Sequence, residues 1–313
     1  MFDVACIGIL VADVIAKPIS KIPEDGLLER ISSIEMFSGG CAMNTGIDMA
    51  KIGLKTAVLG KVGNDQFADF LCSELKKNGV CDDGIVKDPN NQTSSSIVLS
   101  KASGERSFLH VVGANNTYSY EDVDWNVVEN SKIVFVAGSM LMDKFDTEGC
   151  APTLKKAKEM GKITALDVAW DSLGRWMNVL APSMPYIDIF MPSYDEAVCL
   201  SGEKDLDKMC DVFFDMGVKS CVIKVGSKGC YVRESKDRDG FIVPTYPGDV
   251  VDTTGAGDSF CAGFLTGISK GWDFDKCAKF ANAVGTFCVG KKGATTGIVS
   301  ADEILKFIEE NDK

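Results

Sequence analysis

The strongest constraint on this chain is a repeated alternation of short apolar runs with amphipathic helical stretches. Asp3–Leu10 reads as a strand. Gly39 to Lys51 reads as a glycine turn entering a helix, with Gly53 as its stop. A strand at Thr56–Leu59 follows. From Asn64 a helix places Phe67, Phe70, Leu71 and Leu75 on one face before Gly79 ends it. The cycle recurs through strand Ile133–Ala137, helix Ala151–Met160 and strand Ile163–Val168. It continues with strand Ile187–Met191, a helix near Glu196, helix Leu206–Met216 and strand Cys221–Val225. Strands that are apolar throughout must be covered on both faces, so the pattern predicts a parallel sheet between two helical layers.

Two segments interrupt the rhythm. Residues 14–38 carry few helix signals and contain Pro18 and Pro23, while residues 93–112 form two β-rich runs around Ser103-Gly104, a hairpin signal. Both are too short for an independent domain and fit a small β-sheet projecting from the α/β body. Residues 236–240 (KDRDG) form another turn, between strands Cys230–Arg233 and Phe241–Val243. No repeat or linker divides the 313 residues, so the chain reads as one domain (1–313) with a lid from about 14–38 and 93–112, although length alone also allows two domains.

A formal net charge of −12 disfavours nucleic acid and anionic membrane as partners. The single histidine, His110, excludes His-rich zinc sites. The twelve cysteines include no C-x-x-C pair, and several sit inside apolar runs, as reduced small hydrophobes of a cytoplasmic protein do. No apolar run is long enough to span a membrane, and MFDVACIGILVAD resembles a first core strand more than a signal peptide.

Chemistry concentrates in Val251–Phe260 (VDTTGAGDSF), where glycines run into an amphipathic helix, Phe260 to Ile268, that Gly271 stops. Gly255, Ala256 and Gly257 then sit at a helix N-terminus, where free amides and the helix dipole suit a phosphate. Asp258 lies within the first turn. A carboxylate beside an anion site makes sense if it takes a proton from a hydroxyl that attacks that phosphate. The plain alternative is a tight turn followed by an ordinary first-turn acid. In Ser38–Gly46 (SGGCAMNTG), Gly39 and Gly40 allow close approach of a ligand to the backbone, and Asn44 offers a donor and an acceptor for sugar hydroxyls. Taken alone, the segment reads better as an ordinary Gly-Gly turn with Asn44 capping the helix. Asp13 follows the first strand, at the edge where open parallel sheets bind ligands, or is a loop aspartate in a turn.

Taken together, DTTGAGDSF at 252–260, SGGCAMNTG at 38–46 and the early Asp13 resemble the ribokinase-like carbohydrate kinases, the phosphofructokinase-B family. The resemblance covers nearly the whole chain. It implies a Rossmann-like three-layer α/β/α sandwich with a small β-sheet lid, and ATP-dependent phosphorylation of a sugar or nucleoside alcohol with Mg²⁺ and often a stimulating K⁺. Lids of this family often dimerise, so a homodimer is an option. By the same resemblance, Asp258 matches the general base, Gly255, Ala256 and Gly257 match the anion hole, and Asp13, Gly39, Gly40 and Asn44 match sugar contacts. Lys224, Gly226 and Gly229 match the nucleotide loop, and Asn282 a residue beside adenine. Asp252, Thr254, Cys288, Lys291, Gly293 and Gly297 match a monovalent-cation loop. Where the family usually carries Asn-x-x-Glu for Mg²⁺ bound through water, this chain has Ser193 and Glu196.

Gly285 to Lys292 nearly matches a P-loop, but it ends in Lys292 without the metal-binding hydroxyl and does not follow a strand. Asp167 and Asp171 end a core strand and read either as ligand contacts or as helix caps. Phe108, His110 and Asn115 fall on or just after the lid hairpin; His110 reads as a half-buried sheet residue with one hydrogen bond. The expected activity is a sugar kinase. A nucleoside kinase, or a catalytically silent sugar-binding protein of the same fold, is the alternative.

Overall fold

A computed structural model describes residues 1–103 and 105–312. Gly104, half of the hairpin signal at 103–104, lies outside the described residues. The body is a nine-stranded sheet. Seven of its strands are β1 (Phe2–Gly8), β4 (Thr56–Gly63), β5 (Cys81–Asp88), β8 (Ser131–Ser139), β9 (Ile163–Val168), β10 (Ile189–Phe190) and β11 (Ser220–Lys224). They run parallel, and β12 (Cys230–Arg233) and β13 (Phe241–Val243) close one edge antiparallel. The strand order is β13-β12-β11-β10-β9-β8-β1-β4-β5. From β1 the chain first winds outward to β4 and β5, then returns to β8 on the other side. The order therefore reverses beside β1, which opens a crevice at the carboxyl ends of β1 and β8.

Helices cover both faces. On one lie α1 (Cys41–Ile52), α2 (Gln66–Lys77), α8 (Ala256–Ser269), α9 (Phe274–Val289) and α10 (Ala301–Asn311). On the other lie α3 (Trp125–Glu129), α4 (Cys150–Glu159), α5 (Met177–Leu180), α6 (Tyr194–Ser201) and α7 (Leu206–Asp215). The two-residue period of a strand divides the sheet between two cores: Val4 and Cys6 of β1 pack with α1 and α8, while Ala5 and Ile7 pack with α3 and α4. α8 is buried nearly all round, with Phe260, Phe264 and Leu265 inside. Each such side chain contributes roughly 1.5–3 kcal/mol, so the helix start that faces the crevice is rigidly held.

The lid is a four-stranded sheet ordered β3-β2-β6-β7, from β2 (Val11–Ile19), β3 (Ser33–Gly39), β6 (Ser95–Lys101) and β7 (Arg106–Val111). Three expectations need correction. The first strand ends at Gly8, and the apolar run continues into a lid strand that begins at Val11, so Asp13 sits within β2 and not in a loop. The core strand expected over 187–191 spans only Ile189–Phe190. Helix α8 begins at Ala256, a turn before Phe260, because Gly255 adopts φ 78°, a left-handed conformation that glycine enters without strain. All twelve cysteines are free thiols. No helix among the described residues is long and apolar enough to cross a membrane.

Candidate active site

The crevice is floored by the N-termini of α1 and α8 and the ends of β9 and β11. No side chain caps α8. The Ala256 amide donates to the Thr253 carbonyl (3.2 Å), so it is spent inside the turn and does not point outward as expected. The anion-binding end of the helix is left to its neighbours, chiefly Gly257.

Asp258, in the first turn of α8, accepts a hydrogen bond at Oδ2 from Asn44 Nδ2 (2.8 Å), and the Cys41 thiol donates to the same carboxylate. Burial pushes the Asp258 carboxyl above the ordinary carboxylate range. Asn44, Lys224 and Cys41 pull it back, and the charge of Glu196 pushes it further up. A half-buried carboxylate tuned upward is a stronger base than an ordinary one and suited to accept a proton. Asn44 is itself buried, and its Oδ1 has no partner. Its amide thus orients Asp258 with one end and presents an unsatisfied acceptor with the other. Thr45 Oγ1 further ties α1 to the Asp258 carbonyl (3.3 Å).

Behind Asp258 lies an ion pair. Lys224 Nζ, at the end of β11, is 2.5 Å from Asp167 Oδ1, at the end of β9. The two side chains are only 13% and 6% exposed. Burial alone would neutralise both, but attraction to the Asp167 carboxylate outweighs it at Lys224 and holds the ammonium charged. Lys224 Nζ sits 3.6 Å from where a Cβ on Gly257 would lie, so the ammonium faces the start of α8. Asp167 therefore caps no helix, and its pairing with Lys224 was not readable beforehand; nor does Asp171 cap one, because it accepts from the amides of Leu173, Arg175 and Trp176 in the loop before α5, whose own start has no side-chain cap.

Glu196 and Ser193 form a capping box at the start of α6, with the Ser193 amide donating to Glu196 Oε2 (2.7 Å). Serine thus replaces asparagine as a helix cap that fixes the glutamate. The Glu196 charge is felt by Asp258, Asp167 and Lys224, so it borders the same crevice. Gly226 and Gly229 form a one-turn loop directly after β11. Asn282 is buried, and its amide donates to the carbonyls of Val243 (2.9 Å) and Pro244 (3.2 Å), anchoring the sheet edge at β13.

The lid contributes its own polar row. Strand register aligns Asp13, Ser96 and His110 side by side on one face. Ser96 Oγ lies 3.0 Å from His110 Nδ1 and also hydrogen-bonds Asp13. Gly39 makes room for this row: a Cβ there would lie 2.6 Å from Asp13 Oδ2. Burial pushes Asp13 upward, with Ser96 and His110 opposing. His110 is exposed, not half-buried. Asn115 is no ligand contact; it is buried and bonds the Leu10 amide and carbonyl.

Asp252, Thr254, Cys288 and Gly293 do come together. Gly293 N donates to Asp252 Oδ2 (3.2 Å), and the Cys288 thiol donates to the Thr254 carbonyl (3.5 Å). Lys291 is exposed, and Gly297 packs on the Phe287 carbonyl. Sequence reasoning missed Arg106, which reaches this loop from the lid. Only the position of β7 over the body brings it there.

The site thus sets an uncapped helix start beside a carboxylate and a buried ion pair, under a separate lid. The pattern of the pfkB family of carbohydrate kinases matches residues 1–301, and the chain belongs to that family. A Pyrococcus horikoshii protein that bears a sugar-kinase name is 32% identical over 316 residues, covering 99% of this chain and 96% of its own. An Arabidopsis thaliana ribokinase, solved with ribose and ATP, superposes with a TM-score of 0.86 at 25% identity, covering 98% of this chain and 99% of its own. An E. coli structure named for a second ribokinase, solved with ATP and Mg²⁺, gives 0.87 at 24% identity, over 99% of this chain and all (100%) of its own. The protein is a carbohydrate kinase of the ribokinase fold.

Proposed function

We propose that the chain transfers the γ-phosphoryl group of ATP to a hydroxyl of a monosaccharide held between lid and body. The observation that carries this reading is the placement of Asp258: an upshifted carboxylate, aimed by Asn44, in the first turn of an uncapped helix that also faces Lys224. Asp258 takes the proton of the attacking hydroxyl as its oxygen bonds to the γ-phosphorus and the bond to the ADP oxygen breaks. The amides of Gly255 and Gly257 and the Lys224 ammonium stabilise charge on the transferred group. Asp13, Gly39, Gly40 and Asn44 Oδ1 receive the sugar. Gly226 and Gly229 border the nucleotide, with Asn282 holding the sheet edge beside it.

Magnesium fits the donor at this crevice: Mg²⁺ usually keeps water and binds through one or two carboxylates plus the substrate's phosphates, and Glu196 offers such a carboxylate, fixed by the Ser193 amide. Glu196, fixed by its cap, would hold it through water. When bound, the ion neutralises phosphate charge.

The other face of the lid carries Met36, Ile97 and Leu109, all exposed and aligned through Val14. This apolar row supports a homodimer through the lid, which sedimentation would detect as a mass of two chains. The decisive experiment for activity is ADP release with ATP and Mg²⁺ across a panel of monosaccharides, phosphosugars and nucleosides. A sugar is expected to be phosphorylated. Turnover of nucleosides alone would replace sugar by nucleoside, and binding without ADP release would make the chain a silent sugar-binding protein.

A further inference from the structure

Arg106 opens β7 on the same lid face as Phe108 and His110. Its guanidinium donates from Nη1 to Thr254 Oγ1 (3.3 Å) and from Nη2 to Asp252 Oδ2 (3.3 Å). Asp252 is otherwise fully engaged. Its Oδ1 accepts from the Thr254 amide (3.0 Å) and hydroxyl (2.7 Å), and its Oδ2 from the Gly293 amide (3.2 Å). The nearby carbonyls of Thr254 and Ala294 accept from the Cys288 thiol at 3.5 and 3.2 Å.

A monovalent cation on this loop would need a set of free oxygens, the Asp252 carboxylate foremost. Both oxygens of that carboxylate already have partners, and the Arg106 guanidinium sets a positive charge on it, so a K⁺ ion would have to displace that contact.

The place of this contact gives it a role. Thr254 immediately precedes Gly255, whose left-handed turn starts the phosphate-binding helix. A group on the lid thus grips the turn that aims the anion site. We propose that Arg106 is a positioning residue that brings to the Asp252–Thr254 turn, from the lid, the positive charge a bound K⁺ would otherwise supply, so that lid closure and assembly of the phosphate site are one event. An exposed ion pair adds little to global stability, so the consequence lies in how the lid and the turn are coupled. The part of this inference that concerns turnover rests on the kinase reading; the coupling itself does not.

The test has two arms on the full chain. Hydrogen exchange is measured without ligand on wild type, Arg106→Ala and Arg106→Lys. Peptides covering 106–111 and 252–258 are expected to exchange roughly fivefold or more faster in Arg106→Ala, the low end of coupling between two sites. Arg106→Lys, which keeps the charge without the fork, should fall between. Unchanged exchange at 252–258 in Arg106→Ala overturns the proposal.

The second arm titrates KCl against tetramethylammonium chloride at constant ionic strength, on whichever sugar the wild type phosphorylates. Wild-type kcat is expected to respond to K⁺ by less than about twofold, and Arg106→Ala to lose about tenfold and regain part of it with K⁺ alone. Strong K⁺ activation of the wild type overturns the proposal. If the wild type turns over no sugar, the kinase reading fails, and the exchange arm still decides the contact.

Discussion

The floor of the crevice and the lid above it are built on opposite principles. On the floor, Lys224, Asp167, Asn44 and Asp258 are buried or half-buried, come from four separate elements, and are locked by one another. On the lid, every residue of β7 is exposed, and the polar side chains stand in a row across neighbouring strands. The contrast teaches a division of labour. Charge must be pre-organised where phosphoryl transfer occurs, since reorganising it during the reaction would cost rate. A surface that admits substrate and then excludes water has to move, and is drawn from the less densely packed part of a fold. Substitutions on the floor should therefore act on kcat, and those on the lid on KM or on coupling.

The largest effect is expected from Asp258→Asn, with kcat falling about 10²–10⁴-fold, the usual worth of a general base. Next is Lys224→Met, with a loss of about 10²–10³-fold, as for removal of a donor to a transition-state anion. That variant also strands the buried Asp167 carboxylate, costing about 3–5 kcal/mol in chemical denaturation. Adding Asp167→Asn should restore much of the stability and none of the rate. Restored turnover in the double variant would break the comparison, because Lys224 would then serve only to neutralise Asp167.

Asn44→Ala sharpens the picture through pH. Asn44 donates to the ionised form of Asp258 and so favours it; without that donor the carboxyl titrates at still higher pH. Activity needs the ionised base and is lost as pH falls through its pKa. The acid limb of the kcat profile, already above the ordinary carboxylate range in wild type, should therefore move to higher pH in Asn44→Ala. An unmoved limb would mean that another group sets it. The smallest effect belongs to the lid: His110→Ala should raise the sugar KM by about fivefold, the worth of one hydrogen bond, with kcat little changed. A fall in kcat instead would place His110 in the chemistry and erase the distinction between the two regions.

Most of the architecture was legible because it is local. The glycine string at 252–260 carries its own turn, helix start and carboxylate, and the helix stops at Gly53 and Gly271 fall where expected. Boundaries failed where two elements share one apolar run. Gly8 to Ala12 reads as continuous, yet the chain leaves the sheet there and starts the lid at Val11, carrying Asp13 with it. Pairings across the fold were not legible. Asp167 and Lys224 stand on two strands whose carboxyl ends flank β10, and only the strand order places those ends beside α8. Asn44 was expected to face sugar, and sequence could not show that its amide would be committed to Asp258. Arg106 looks like any polar residue in a hairpin until the lid is set over the body.

If Asp258 is the base, its loss should stop the chemistry and leave ATP bound. Measuring kcat and the ATP dissociation constant on one preparation of Asp258→Asn, with the sugar that the wild type phosphorylates, decides this. ATP affinity is expected within about twofold of wild type beside a loss of kcat of about 10²-fold or more. Near-normal turnover in that variant would remove Asp258 from the chemistry.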